Sequence, residues 1–70
     1  MERKTITNSS QVSDIGYDKD SKIFEVIYKN GAKYHYFDIE EEIWTNAQSA
    51  ESVGKYVAAH VKPHKFQKVA

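Results

Sequence analysis

The chain of 70 residues has no cysteine, one proline and three glycines, and its ten lysines and arginines are matched by ten aspartates and glutamates. Without cysteine there are neither disulfide staples nor thiolate metal ligands, so stability has to come from packing or self-association. No stretch approaches the roughly 20 apolar residues that a membrane-spanning helix requires. The opening residues, Met1 to Ser10, lack an apolar run of signal-peptide length. A cytoplasmic location is therefore expected, and the Asn8-Ser9-Ser10 glycosylation sequon has no reader there. There is no glycine-rich phosphate loop, no Gly-x-Ser-x-Gly elbow, no linker and no internal repeat.

What is present is a globular composition, 40% apolar, 13% aromatic and 29% charged, which places the chain outside the disordered class. A chain this short hides only roughly 60% of its unfolded surface on folding. Nearly all of its large apolar side chains must then serve the core, which leaves no room for a second domain or a deep substrate cavity. The zero net charge is an average over blocks. Residues 34 to 53 hold Asp38, Glu40, Glu41, Glu42 and Glu51 and no Lys or Arg. Residues 54 to 70 hold Lys55, Lys62, Lys65, Lys68, His60 and His64 and no acid, and the first 33 residues sum to +1.

Phe24, Val26 and Tyr28 alternate with Ile23, Glu25 and Ile27, and Tyr34 and Tyr36 alternate with Lys33, His35 and Phe37, which is the period-2 pattern of strands. Lys29-Asn30-Gly31 lies between them. A two-residue loop would pair Tyr28 with Lys33 and mix charge into both faces. A three-residue loop with Gly31 left-handed pairs Tyr28 with Ala32, Val26 with Tyr34 and Phe24 with Tyr36, and leaves one face free of charge. Residues 10 to 17, with Ile15 and Tyr17 apolar, predict a preceding strand that turns through Asp18-Lys19-Asp20-Ser21. Gly16 within it signals a bulge or a close backbone contact.

At Asp38 the period changes to about 3.6, with Ile39, Ile43, Trp44 and Ala47 forming one apolar stripe. Asp38 and Glu41 read as a capping box opening a helix over about residues 39–47. Ser52 reads as the N-cap of a second helix carrying Val53, Tyr56, Val57, His60 and Val61, which stops before Pro63. Gly54 near its start points to close packing or an open backbone. Residues 64–70 form either a short strand or a loose basic tail. The architecture expected is α+β: a three-stranded antiparallel meander followed by two short helices on one sheet face, with residues 1–8 as an extension, 9–66 as the domain and 67–70 as a tail. Its core would comprise Ile15, Tyr17, Phe24, Val26, Tyr28, Tyr34, Tyr36, Ile39, Ile43, Trp44, Val53, Tyr56, Val57 and Val61.

Chemistry-bearing patterns are sparse. Of the three histidines only His60 and His64 are close in sequence, and Pro63 breaks the helix that would bring them together on a metal, so no metal site is expected. The Ser9-Ser10 pair has no local base, and Glu40, Glu41 and Glu42 sit in a solvated first turn, so nothing predicts an enzyme or a cofactor. The basic C-terminal block with nearby aromatic residues is what nucleic-acid binding requires, although zero net charge argues against a large electrostatic footprint.

The run Ser9-Ser10-Gln11-Val12-Ser13-Asp14-Ile15-Gly16-Tyr17-Asp18, followed by Phe24, Val26, Tyr28, Gly31, Tyr34 and Tyr36 and then by Ala50-Glu51-Ser52-Val53-Gly54-Lys55-Tyr56, resembles the KTSC domain. That family is named for its occurrence at the C-terminus of some lysyl-tRNA synthetases. The resemblance spans about residues 7 to 66. Glu40 stands where the family often has proline, Val57-Ala58 replaces an aromatic-Asn pair, and Lys62 replaces an arginine. The resemblance implies a small stand-alone protein of bacteria or phages, and the synthetase context suggests RNA association. The apolar signature residues are explained by packing. Ser9, Ser10, Asp18, Ser52, Gly54, Lys55, Tyr56 and Lys62 are the candidate ligand-binding set, with Ser10, Ser52 and the amides near Gly54 suited to an anion. Three functions remain open: an RNA or single-strand binding module, a protein-interaction module or homodimer using the leftover face of Ile23, Ile27 and Phe37, and a binder of a small phosphorylated ligand.

Overall fold

In the computed structural model, which describes all 70 residues, Gly31 adopts φ 93° and the turn it closes sets the register of the sheet. The Gly31 amide donates to the Tyr28 carbonyl at 2.9 Å, the Tyr28 amide to the Ala32 carbonyl at 2.8 Å, and the Ala32 amide to Oδ1 of Asn30 at 3.0 Å. Phe24 faces Tyr36 and Val26 faces Tyr34, so the register that keeps one face free of charge is the one adopted.

The sheet has five antiparallel strands in sequential order, β1 (Glu2–Thr5), β2 (Val12–Asp18), β3 (Ile23–Tyr28), β4 (Lys33–Tyr36) and β5 (Phe66–Lys68). Two helices, α1 (Glu41–Ser49) and α2 (Val53–His60), separate β4 from β5. Three strands were expected; the two additional ones are the edges, of which β5 is the short strand allowed for residues 64–70 and β1 is unexpected. β1 pairs Arg3 with Gly16 and Thr5 with Asp14, and β5 pairs Phe66 with Tyr36 and Lys68 with Tyr34. Residues 1–8 and 67–70, expected as extension and tail, are therefore tied into the sheet. The pairing with β4 continues to Ala70, whose carbonyl accepts from the Lys33 amide at 3.0 Å. Both edge strands expose their side chains and are held by main-chain bonds, so neither carries an apolar alternation.

Gly16 provides a close contact, and the bulge falls elsewhere. A Cβ at Gly16 would lie 3.0 Å from Sδ of Met1 and 3.2 Å from Cγ of Arg3, whereas the register slips between Val12 and Asp14.

The capping box expected at Asp38 does not form, and α1 begins at Glu41 with Glu40 as an N-cap whose side chain makes no capping bond. Asp38 adopts φ 58°, a left-handed conformation that Asp tolerates better than most residues, and reverses the chain after β4. Ile39 is thereby pinned to the sheet: its amide donates to the Lys22 carbonyl at 3.0 Å and its carbonyl accepts from the Tyr17 hydroxyl at 2.6 Å. The cap at Ser52 forms as expected, its Oγ accepting from the Lys55 amide at 3.4 Å, and α2 ends before Pro63.

One core joins the inner sheet face to both helices. Ile15, Tyr17, Phe24, Val26, Tyr36, Ile39, Trp44, Val53, Val57 and Val61 are buried as expected, together with Ile6, Val12 and Ala47. The Trp44 ring stacks on Tyr17 and meets Phe24 edge-on, at centroid distances of 5.9 and 5.8 Å. Tyr28, Tyr34, Ile43 and Tyr56, also expected in the core, are only half-buried against it. No helix is long and apolar enough to cross a membrane.

Candidate functional site

Beyond the reach of the helices, the inner sheet face continues as an aromatic surface. Period-2 alternation puts Tyr28, Tyr34 and Tyr36 on this face, and strand pairing sets Phe66 beside Tyr36. Tyr34 meets Tyr28 edge-on at 5.7 Å and lies 5.8 Å from Phe66. These rings, with Asn30, Ala32 and Lys62, line an open groove of about 410 Å³. Lys62 follows the end of α2, and its ammonium lies 5.9 Å from the centroid of the Tyr28 ring. Phe66 is 56% exposed, an unusual position for a phenylalanine that packing alone would hide. Burial, and then the neighbouring Tyr28 side chain, push the Tyr36 phenol well above its ordinary pKa. The groove is therefore a neutral, ring-lined surface with a cation at one wall.

Several of the residues singled out from the sequence meet in a different depression. Ser9, Ser10, Ser52, Gly54 and Lys55 line a hollow of about 390 Å³ with Asn8, Gln11 and Ala58. Part of this set is committed to local structure. Ser9 Oγ accepts from the Gln11 and Val12 amides at 3.2 and 3.0 Å, Ser52 caps α2, and Asn8 Nδ2 donates to the carbonyls of Ala50 and Glu51 at 3.2 and 2.9 Å. Lys55 is exposed and lines the hollow without belonging to that local scaffold. Lys62 belongs to the aromatic groove instead. Tyr56 packs its ring 4.4 Å from the His60 ring. Asp18 lies away from both depressions, in a hollow of about 200 Å³ that also holds Glu2, Asp20 and Glu41. There it accepts from the Asp20 amide at 3.1 Å, a turn bond that lowers its carboxyl pKa.

The outer sheet face carries a feature that alternation alone does not reveal. Glu25, which alternation places on the face opposite the charge-free one, is buried. Arg3 Nε donates to Glu25 Oε1 at 2.9 Å, and His35 Nε2 lies 2.8 Å from Oε2. Burial acts to raise the Glu25 pKa, and the bonds from Arg3 and His35 more than reverse it, so the carboxyl is held below the usual range. An ionised carboxylate only accepts, so His35 Nε2 carries the donated proton. The signal for this row was Gly16: Arg3, Gly16, Glu25 and His35 are consecutive partners across four strands, and only a residue without a side chain lets Arg3 cross β2. The row interrupts the apolar stretch of Ile23, Ile27 and Phe37. No group of three or more His, Cys, Asp or Glu side chains is arranged to hold a metal ion.

Comparison with known proteins agrees with this fold. A protein of Tsukamurella paurometabola is 36% identical over 62 residues, covering 89% of this chain and 91% of the relative. One from Stutzerimonas stutzeri is 28% identical over 65 residues, covering 93% and 92%. The crystal structure of a KTSC domain protein from Yersinia pestis superposes with a TM-score of 0.88 at 28% identity, covering 99% of this chain and 97% of that one. The sequence profile of the KTSC domain matches residues 8–66, which include the Ser9–Asp18 run, the groove tyrosines and α2, and the chain belongs to the KTSC domain family.

Proposed function

We propose that the protein is a non-catalytic domain that binds single-stranded nucleic acid on the Tyr28–Tyr34–Phe66 surface, beside which Tyr36 is buried. The observation that carries this reading is the exposed ring surface itself, flanked by a lysine and free of carboxylates. Ring faces of this kind stack unpaired bases of any sequence, and each stacked base contributes about 1–3 kcal/mol. Bases inside a duplex are already stacked and cannot reach such a surface. A duplex binder also needs a broad basic face, which a chain of zero net charge does not offer. Lys62 beside Tyr28, and Lys68 opposite Tyr34 on the neighbouring strand, supply the phosphate partners.

The test is fluorescence anisotropy with labelled oligo(U) and oligo(dT), comparing the wild type with Phe66→Ala, a substitution at an exposed edge that leaves the core intact. Binding that weakens as salt rises and falls roughly tenfold in the variant supports the reading. An affinity unchanged between about 50 and 200 mM salt contradicts it.

A further inference from the structure

The ring-lined groove does not end at Tyr28. Tyr28 and Asn30 also border a second depression of about 380 Å³, which reaches Ser10, Gln11 and Lys29. Ser10 and Gln11 in turn border the hollow of about 390 Å³ at Lys55. The three depressions thus adjoin through shared walls. β2 begins alongside the end of β3, with Val12 facing Tyr28 and the Lys29 amide donating to the Gln11 carbonyl at 2.8 Å. We infer that they form one continuous track for a single strand of nucleic acid, bases lying on the rings and the sugar-phosphate backbone running past Lys29 to Lys55.

This inference rests on the reading of the aromatic groove as a base-stacking surface, and charge is what extends it. No aspartate or glutamate lines any of the three depressions, and each has one lysine: Lys62, Lys29 and Lys55. The remaining depression has the opposite character, with four carboxylates at Glu2, Asp18, Asp20 and Glu41. A chain with zero net charge has therefore segregated it, keeping every carboxylate off a path that begins in aromatic rings. Polar capacity along the path is also available. Asn30 spends its oxygen on the Ala32 amide, which leaves its NH2 group for a ligand. The end at Lys55 does not depend on the α2 dipole, because Ser52 already caps that terminus; the anchor is the lysine side chain.

Length and salt dependence separate a track from a single groove. For single strands the slope of log K against log salt is about −0.7 per phosphate neutralised. An oligo(U) dinucleotide, which occupies the rings beside Lys62, should therefore show a slope of about −0.7. An octanucleotide that also reaches Lys29 and Lys55 should show a slope steeper by at least about 1.4 and bind more tightly. In Lys29→Gln/Lys55→Gln the octanucleotide slope should shrink by about 1.4 while the dinucleotide is unaffected. Lys19→Gln, on the acidic side of the molecule, should change neither oligonucleotide.

An octanucleotide that binds the double variant with wild-type affinity and slope, while Phe66→Ala still weakens it, overturns the track and leaves the groove reading standing. Equal losses in Lys19→Gln and in the double variant also overturn the track, since they would report bulk charge alone. Failure of both oligonucleotides to bind the wild-type protein removes the groove reading, and the track with it.

Discussion

The hydroxyl of Ser9 lies against the backbone of Gly54: a Cβ at residue 54 would sit 2.9 Å from Ser9 Oγ. That hydroxyl cannot withdraw freely, because it accepts two amide bonds, from Gln11 and Val12, at the entry to β2. The contact locks the start of the second strand to the first turn of α2, and it explains together why a serine and a helix-weakening glycine occupy positions far apart in sequence.

Gly54→Ala should consequently have a sign that depends on residue 9. In the wild type, overpacking against Ser9 costs about 1–3 kcal/mol and outweighs a helix-propensity gain of about 1 kcal/mol. In a Ser9→Gly background the clash is gone and the same substitution should stabilise by up to about 1 kcal/mol. Urea unfolding of the four proteins of this double-mutant cycle measures the coupling directly. Additive effects would mean that the two positions do not touch.

Glu25 makes acid stability predictable in direction. Its pKa is lower in the folded protein than in the unfolded chain, so the unfolded state binds more protons at acid pH. The stabilisation is present above the unfolded carboxylate pKa of about 4.3 and is lost as pH falls through the lower folded value. Glu25→Ala should cost about 2 kcal/mol at neutral pH, by removing hydrogen bonds to a charged group. It should also flatten the acid limb of stability against pH, which unfolding midpoints collected across that range would show.

Gly16→Ala tests whether Arg3 needs the vacant space above β2. A Cβ there would lie 3.1 Å from the Glu2 carbonyl oxygen as well as against Met1 and Arg3. Backbone cannot yield as a side-chain tip does, so β1 should shift and the Arg3–Glu25 bond should lengthen. Amide exchange in β1 should then accelerate at least tenfold while β3 and β4 keep most of their protection.

The parts of the fold that can be read from the sequence are those whose pattern is strong and local. Tyr34 and Tyr36 lie on a charge-free face only if Gly31 closes a three-residue turn, so pattern and turn chemistry specify the same register. Ser52 followed by an apolar stripe specifies α2. The edge strands could not be read in this way. Glu-Arg-Lys-Thr in β1 buries none of its side chains and so carries no apolar alternation, and β5 has only three residues. The Asp38 capping pattern misleads because a left-handed Asp38 and the Tyr17 hydroxyl hold Ile39 to the sheet before the helix can begin. For the site, five of the eight residues singled out from the sequence, Ser9, Ser10, Ser52, Gly54 and Lys55, line one polar hollow, whereas Asp18, Tyr56 and Lys62 lie elsewhere. The aromatic groove was hidden because exposure of Tyr28, Tyr34 and Phe66 depends on where the helices stop covering the sheet, which no local pattern encodes.

Alkaline stability follows from the buried phenols. The pKa values of Tyr17 and Tyr36 are raised, each chiefly by burial, so the folded state holds those protons more tightly than the unfolded chain does. Stability should therefore fall as pH rises above the ordinary tyrosine value of about 10. Absorbance titration should show these two ionising together with loss of the Trp44 environment, and Tyr36→Phe should remove part of that dependence.

The most direct measurement is a chemical-shift titration of the labelled protein with short oligo(U), oligo(dT) and mononucleotides. Perturbations concentrated at Tyr28, Tyr34, Tyr36, Lys62 and Phe66, saturable and weakened by salt, are the result expected of a single-strand binding surface. Spectra that do not move with any of these ligands, or shifts confined to the Ile23, Ile27 and Phe37 face, would contradict it.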